Sequence, residues 1–258
     1  VRNYFQQVWS LEESRTVSAR ADRPQTQRAA DELREHYVRV QDEYPQAFQD
    51  TDWAAQTLRT SRVTLLSGPV NAGNKTPSVW YAICQVMAQG QDILIQTPYV
   101  VCNQAMYQDL TELSSAGRQV QILTNAVENG ANPFGCSDYL NQKQNILATG
   151  ADVYEYIGDQ SLHTKTILVD DRISIVGSYN LDMRSTYLDT ELMLVIDCPE
   201  LNAALRSKAA ADMAQSKLVL SDGTQLPGPA YELPDLSIAK RVSYAVLRVL
   251  TIPFRHLL

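Results

Sequence analysis

Histidine is scarce in this 258-residue chain, and neither its three histidines nor its four cysteines fall at metal-ligand spacing. Nothing in the sequence therefore supports a zinc site. Cys84, Cys102, Cys136 and Cys198 include no CxxC pair and lie in apolar or helical stretches. They read as buried thiols rather than a disulfide framework. No run of about 18 apolar residues occurs, so no segment reads as a bilayer-spanning helix. Cations are short as well, with 22 Lys and Arg against 29 Asp and Glu, a net charge of −7. Nucleic-acid binding draws on a basic surface that releases counterions, so this balance argues against a nucleic-acid partner. No repeat of fixed period is visible.

What is present is enough to fold. Hydrophobic residues make up 45% of the chain and charged residues 20%, a balance that supports a substantial core. Residues 11–60 are polar, and 26–43 read as an exposed helix whose charges form a solvated face. From Ser61 the pattern alternates. β-rich runs at 63–69, 92–98, 119–125 and 152–157 are separated by helical stretches. The first helix starts at Thr76-Pro77, the second runs from Asn103 to Gly117, and the third is capped by Ser137 and stops before Gly150. Further strands are expected at 162–170, 172–180 and 191–197, with a helix from Pro199. The expected class is α/β, a mixed, largely parallel sheet flanked by helices. The expected organisation is a polar helical segment at 1–60, a catalytic half-domain at 61–220, and a linker with an amphipathic tail at 221–258.

The tail, Ser237 to Leu258, holds Lys240, Arg241, Arg248 and Arg255 and no acid. On a helical wheel Ile238, Val242, Ala245, Val246, Val249 and Leu250 share one arc, with Lys240, Arg241, Tyr244 and Arg248 opposite. Such a helix suits an anionic bilayer surface, and equally suits docking on its own or another domain.

The densest chemistry lies in LHTKTILVDDRISIVGSYNLDMRS, residues 162–185. On a strand His163 and Lys165 share one face. If Asp171-Arg172 is a two-residue turn, His163 faces Asn180 and Lys165 faces Ser178, each pair about 5 Å apart at Cβ. An imidazole, an ammonium, a hydroxyl and a carboxamide on one face suit phosphoryl chemistry. The lysine supplies fixed charge, the neutral donors stabilise developing oxyanions, and the imidazole attacks phosphorus or moves a proton. No metal or other cofactor is required for this. Glu191 is the candidate to orient the imidazole. Asp170, on the other parity at the strand end, reads as structural.

The string His163-x-Lys165, Asp170, Gly177-Ser178, Asn180 resembles the HKD signature of the phospholipase D superfamily. NLDMRS (180–185), Glu191, SGP (67–69), TPYV (97–100) and YEY (154–156) resemble its cardiolipin synthase branch. The resemblance covers about residues 61–200. It implies that His163, Lys165 and Asn180 contact phosphate, that Ser178 supports them, that Glu191 orients the imidazole, and that Tyr99 and Arg184 lie near the site. It also implies a phosphohistidine intermediate and a phospholipid substrate, with cardiolipin formed from phosphatidylglycerol and a second phospholipid. The alternatives are a phospholipase D-type hydrolase, another phosphatidyltransferase, a nuclease or a non-catalytic domain. Enzymes of that branch carry two HKD motifs, and only one is present here. The expected partners are therefore an upstream HKD half of the same protein or a second copy in a homodimer, with His163 as the acid. Val1–Trp9, which reads as mid-helix, fits a longer parent. The expected location is the membrane surface on the cytoplasmic side, with the tail as contact.

Overall fold

The computed structural model describes residues 2–17, 23–70, 73–232 and 237–258. They form two compact units, Val1–Thr57 and Leu58–Leu258. The first holds α1 (Arg2–Trp9), α2 (Pro24–Glu43) and a 3-10 turn at Pro45–Phe48, where the Tyr37 and Phe48 rings meet edge to face at 5.3 Å. No residue of these elements is buried, as expected for a solvated helix. Val1 lies outside the described residues.

The second unit runs β1 (Arg62–Ser67), α3 (Ser78–Met87), β2 (Asp92–Gln96), β3 (Val100–Val101), α4 (Gln104–Ser115), β4 (Gln119–Asn125), α5 (Pro133–Leu147) and β5 (Asp152–Tyr156). It continues with β6 (Thr166–Val169), β7 (Ile173–Gly177), β8 (Leu181–Asp182), α6 (Met183–Tyr187), β9 (Leu192–Asp197), α7 (Pro199–Ala214), β10 (Ser216–Val219), β11 (Gln225–Pro227) and α8 (Ile238–Leu250). Nine strands form one sheet in the order β1-β9-β7-β6-β2-β4-β5-β10-β11, and β3 pairs β8 separately. The sheet is mixed. Its parallel pairing is confined to β2–β4–β5, and the other neighbours are antiparallel. Parallel neighbours need a long crossover, and only α4 and α5 supply one.

Both faces of the sheet are covered. Ile83, Met87, Met106, Leu110 and Ile146 of α3, α4 and α5 pack on Ile93, Ile95 and Ile122, all at most 2% exposed. The opposite parity, Leu94, Leu123 and Leu168, packs with Ala209 of α7. This double cover explains why Ile93 to Gln96 are buried without alternation. Each such aliphatic side chain contributes roughly 2 kcal/mol of burial free energy.

Two local expectations are corrected. The cap of α5 is Asn132, whose side chain accepts from Phe134 N and Gly135 N, with Pro133 at the first helical position. Ser137 lies inside that helix and donates back to Pro133 O at 2.7 Å. An Asn-Pro pair satisfies the first turn better than a serine already within it. In α3 the residue flanking the first turn is Pro77 itself, with no side-chain cap.

The tail docks on its own unit by its polar arc. Tyr244 is buried and its hydroxyl donates to Val127 O at 2.9 Å. Lys240 Nζ donates to Glu128 O at 2.6 Å and Arg248 Nε to Asn141 Oδ1 at 2.7 Å. Beyond α8, Arg255 pairs with Asp138 at 2.6 Å. The apolar arc faces outward, with Ile238 80% and Val249 67% exposed. Among the described residues no helix is long and apolar enough to cross a membrane. Residues 233–236 of the expected linker lie outside the described residues.

Candidate functional site

The strand directions bring the chemistry-bearing residues to one end of the sheet. β2 and β4 finish there, β6 starts there, β7 finishes there and β9 starts there, and these five strands are neighbours. That end carries Tyr99, Asn125, His163, Lys165, Ser178, Asn180 and Glu191.

The approach to His163 is not strand. The expected run 162–170 pairs only over Thr166–Val169. Asn125, at the end of β4, replaces the missing ladder. Its Nδ2 donates to Pro98 O and Leu162 O, both at 2.8 Å, and its Oδ1 accepts from Leu162 N at 2.7 Å. Asn125 is 6% exposed, so these peptide groups depend on it rather than on water. Sequence reasoning passed over this residue. The available signal was a carboxamide closing the apolar run QVQILTN.

The hairpin register differs by one residue from the expected one. Thr166 pairs Val176 and Val169 pairs Ile173, so the turn is Asp170-Asp171-Arg172. Asp170 has left-handed backbone, φ 49°. Its carboxylate accepts from Gln91 N at 2.8 Å and Asp92 N at 2.9 Å, and its own N–H donates to Asp92 O at 2.8 Å. These bonds to the start of β2 draw Asp170 out of the hairpin and lengthen the turn. Asp170 thus sits at the far end of β6 from His163, a structural position. Its carboxyl is held below its ordinary pKa by those backbone bonds. Lys165 lies opposite Gly177, whose N–H donates to Lys165 O at 3.3 Å, rather than opposite Ser178. A Cβ at Gly177 would lie 2.0 Å from Leu192 O, so only glycine lets β7 and β9 approach here.

His163 is exposed, and Lys165 Nζ lies 2.9 Å from its Nδ1 and 3.0 Å from its carbonyl oxygen. An ammonium only donates, so Nδ1 accepts and the proton of the neutral ring resides on Nε2. Burial, and then the Lys165 charge, lower the His163 pKa. Burial also lowers that of Lys165, against the opposing pull of Glu191 and Asp182.

Glu191 is 6% exposed and accepts the Ser178 hydroxyl, while that hydroxyl accepts from Leu192 N at 3.0 Å. Its expected hydrogen bond to the His163 imidazole is not formed, because Lys165 occupies Nδ1 and the carboxylate is committed to Ser178. Asn180 Nδ2 donates to the Tyr99 hydroxyl at 3.4 Å, and its Oδ1 is buried without a partner among the described residues. Tyr99 is held above its ordinary pKa by burial and by Asp182. Arg184 is exposed and pairs with Asp189 at 2.9 Å, with its backbone N–H bonded to Leu258 O at 3.0 Å. The ensemble is an exposed imidazole backed by an ammonium, beside a buried carboxylate and a carboxamide with a spare acceptor.

A family model described as "Cardiolipin synthase, PLD-like domain" matches residues 83–213. Cardiolipin synthase A of Erwinia tasmaniensis is 30% identical over 135 residues, 52% of this chain and 27% of that protein. Cardiolipin synthase A of Edwardsiella ictaluri is 34% identical over 112 residues, 43% of this chain and 22% of that protein. The matched stretch thus spans about a quarter of the length of these curated relatives. The solved phosphatidylserine synthase of Haemophilus influenzae superposes with a TM-score of 0.54 at 18% identity, covering 76% of this chain and 48% of that one. That likeness concerns the fold.

Proposed function

The chain belongs to the cardiolipin synthase, phospholipase D-like domain family, and we propose that it supplies one half of a phosphatidyl-transfer site acting at a membrane surface. The observation that carries this reading is the His163–Lys165 pair at the open end of the sheet, with Nζ 2.9 Å from Nδ1. Lys165, with Asn180, offsets the negative charge of a phosphodiester without a metal.

A second histidine, from an HKD half elsewhere in the same polypeptide or from a second copy, attacks phosphorus and forms the N–P bond. With the phosphodiester bound, His163 takes up a second ring proton, and the leaving alkoxide takes the Nε2 proton of that imidazolium, which returns the ring to neutrality. In the second step the emptied Nε2 removes a proton from the incoming alcohol, whose oxygen displaces the phosphohistidine. Ser178 and Glu191 brace the strand ends around the phosphate rather than the imidazole of their own half. With phosphatidylglycerol as donor and acceptor, the products are cardiolipin and glycerol. The basic amphipathic α8 supports a location on the membrane, on its cytoplasmic face.

The test is product analysis by mass spectrometry on phosphatidylglycerol vesicles, with both HKD halves of the site present and without added metal. Cardiolipin with stoichiometric glycerol is the expected result. Phosphatidic acid would identify a hydrolase instead, and no lipid product would refute a lipid substrate.

A further inference from the structure

The docking of α8 encloses a cleft of about 290 Å³ whose lining holds none of the candidate site residues. Lys143 of α5, Lys217 of β10, and Arg241 and Arg248 of α8 line it, together with Glu128 and Glu155. In a chain with a net charge of −7, four cations against two acids make a local reversal of sign. Two ammonium groups converge on one buried carboxylate, Lys143 and Lys217 on Glu155, so this trio keeps one positive charge in excess. The Arg241 side chain is exposed and has no hydrogen-bond or ion-pair partner among the described residues.

The cleft is continuous with an apolar surface. Ala245 lines it and belongs to the arc of α8 that faces outward with Ile238, Val242, Val246 and Val249. All four of these side chains are more than half exposed, on a helix that docks through Lys240, Tyr244 and Arg248 of its polar arc. A positive recess beside an exposed apolar stripe matches a molecule with an anionic head and hydrocarbon tails.

We propose that this cleft binds the phosphate of an anionic phospholipid still embedded in the membrane, with its acyl region lying along the outward face of α8. The site is separate from His163 and seats the domain on the bilayer. The choice of a phospholipid, rather than another amphiphile, rests on the function proposed above.

The experiment is co-sedimentation of the chain with vesicles of phosphatidylcholine, with and without phosphatidylglycerol. Binding is read without turnover, in the parent and in His163→Ala, so a failed transfer reaction leaves this test intact. Arg241→Gln is expected to lower affinity for the phosphatidylglycerol vesicles about fivefold, and Arg241→Gln with Arg248→Gln about twenty-fivefold, at about a factor of five per cation. Val242→Glu with Val249→Glu, both on the exposed face, is expected to abolish binding to either vesicle with unchanged circular dichroism. The proposal is overturned if the arginine variants keep the parent's preference for phosphatidylglycerol, or if millimolar inorganic phosphate alone releases the chain. It is also overturned if the valine variant binds vesicles normally but changes oligomeric mass, since the face then joins proteins.

Discussion

Replacing Asn125 with alanine should unfasten the site without touching a group that reacts. The Asn125 side chain holds three hydrogen bonds, two to Leu162 and one to Pro98, at 2.7 to 2.8 Å. Asn125 is 6% exposed and Leu162 is 7% exposed. Each neutral bond is worth about 1 kcal/mol net, and a buried peptide group left unpaired costs about 1–3 kcal/mol. The loss is therefore about 3 kcal/mol, rising to about 5 kcal/mol if no water enters. Against a typical domain stability of roughly 5–15 kcal/mol this is large but survivable. Urea unfolding at fixed pH measures it, and a drop in midpoint with an unchanged m-value is the expected form. The same variant should shift the His163 ring resonances, because Leu162 immediately precedes His163 in the chain. A loss below about 1 kcal/mol, with His163 resonances unmoved, would refute the claim that Asn125 replaces the ladder at this point.

His163→Ala should abolish phosphatidyl transfer in the assembled enzyme while leaving the unfolding midpoint unchanged, since the imidazole is exposed and its only bond among the described residues is to Lys165; normal turnover would remove it from the chemistry. Lys165→Met should raise the His163 pKa toward the ordinary imidazole value, because the lysine charge is one of the two causes that lower it. An NMR titration that shows no rise contradicts the contact. Burial raises the Glu155 pKa, but Lys143 and Lys217 outweigh it and hold the folded value below the ordinary carboxylate range. Its contribution to stability is thus present above that range and lost as pH falls through the folded value. Lys217→Met should move the acid-unfolding midpoint to higher pH, and an unmoved midpoint would show that the pair is not coupled to folding.

The sequence by itself determined the order of the longer strands and helices and the identity of the chemical groups, but not the short elements β3, β8, α6, β10 and β11. Runs such as QVQILTN and DILIQ read as strands because they are short, rich in Val, Ile and Leu, and separated by helical stretches, and the sheet buries both faces of β2. The His-x-Lys string pointed to phosphoryl chemistry because few other chemistries need an imidazole, an ammonium and a carboxamide so close in the chain. Tertiary structure decided the rest wherever a choice depended on a distant partner. The hairpin is one residue longer than local turn chemistry suggests, because the start of β2, 78 residues away, captures Asp170. The run before His163 is not strand because Asn125, 37 residues earlier, satisfies its backbone. Glu191 looked like the partner of the imidazole, but three-dimensional proximity gave it to Ser178. The tail shows the limit most directly. Helical periodicity revealed its two arcs, but which arc faces inward depended on Val127 O, Glu128 O and Asn141 offering acceptors at the docking surface. Periodicity is a property of one helix, whereas the sign of its packing is a property of the surface it meets.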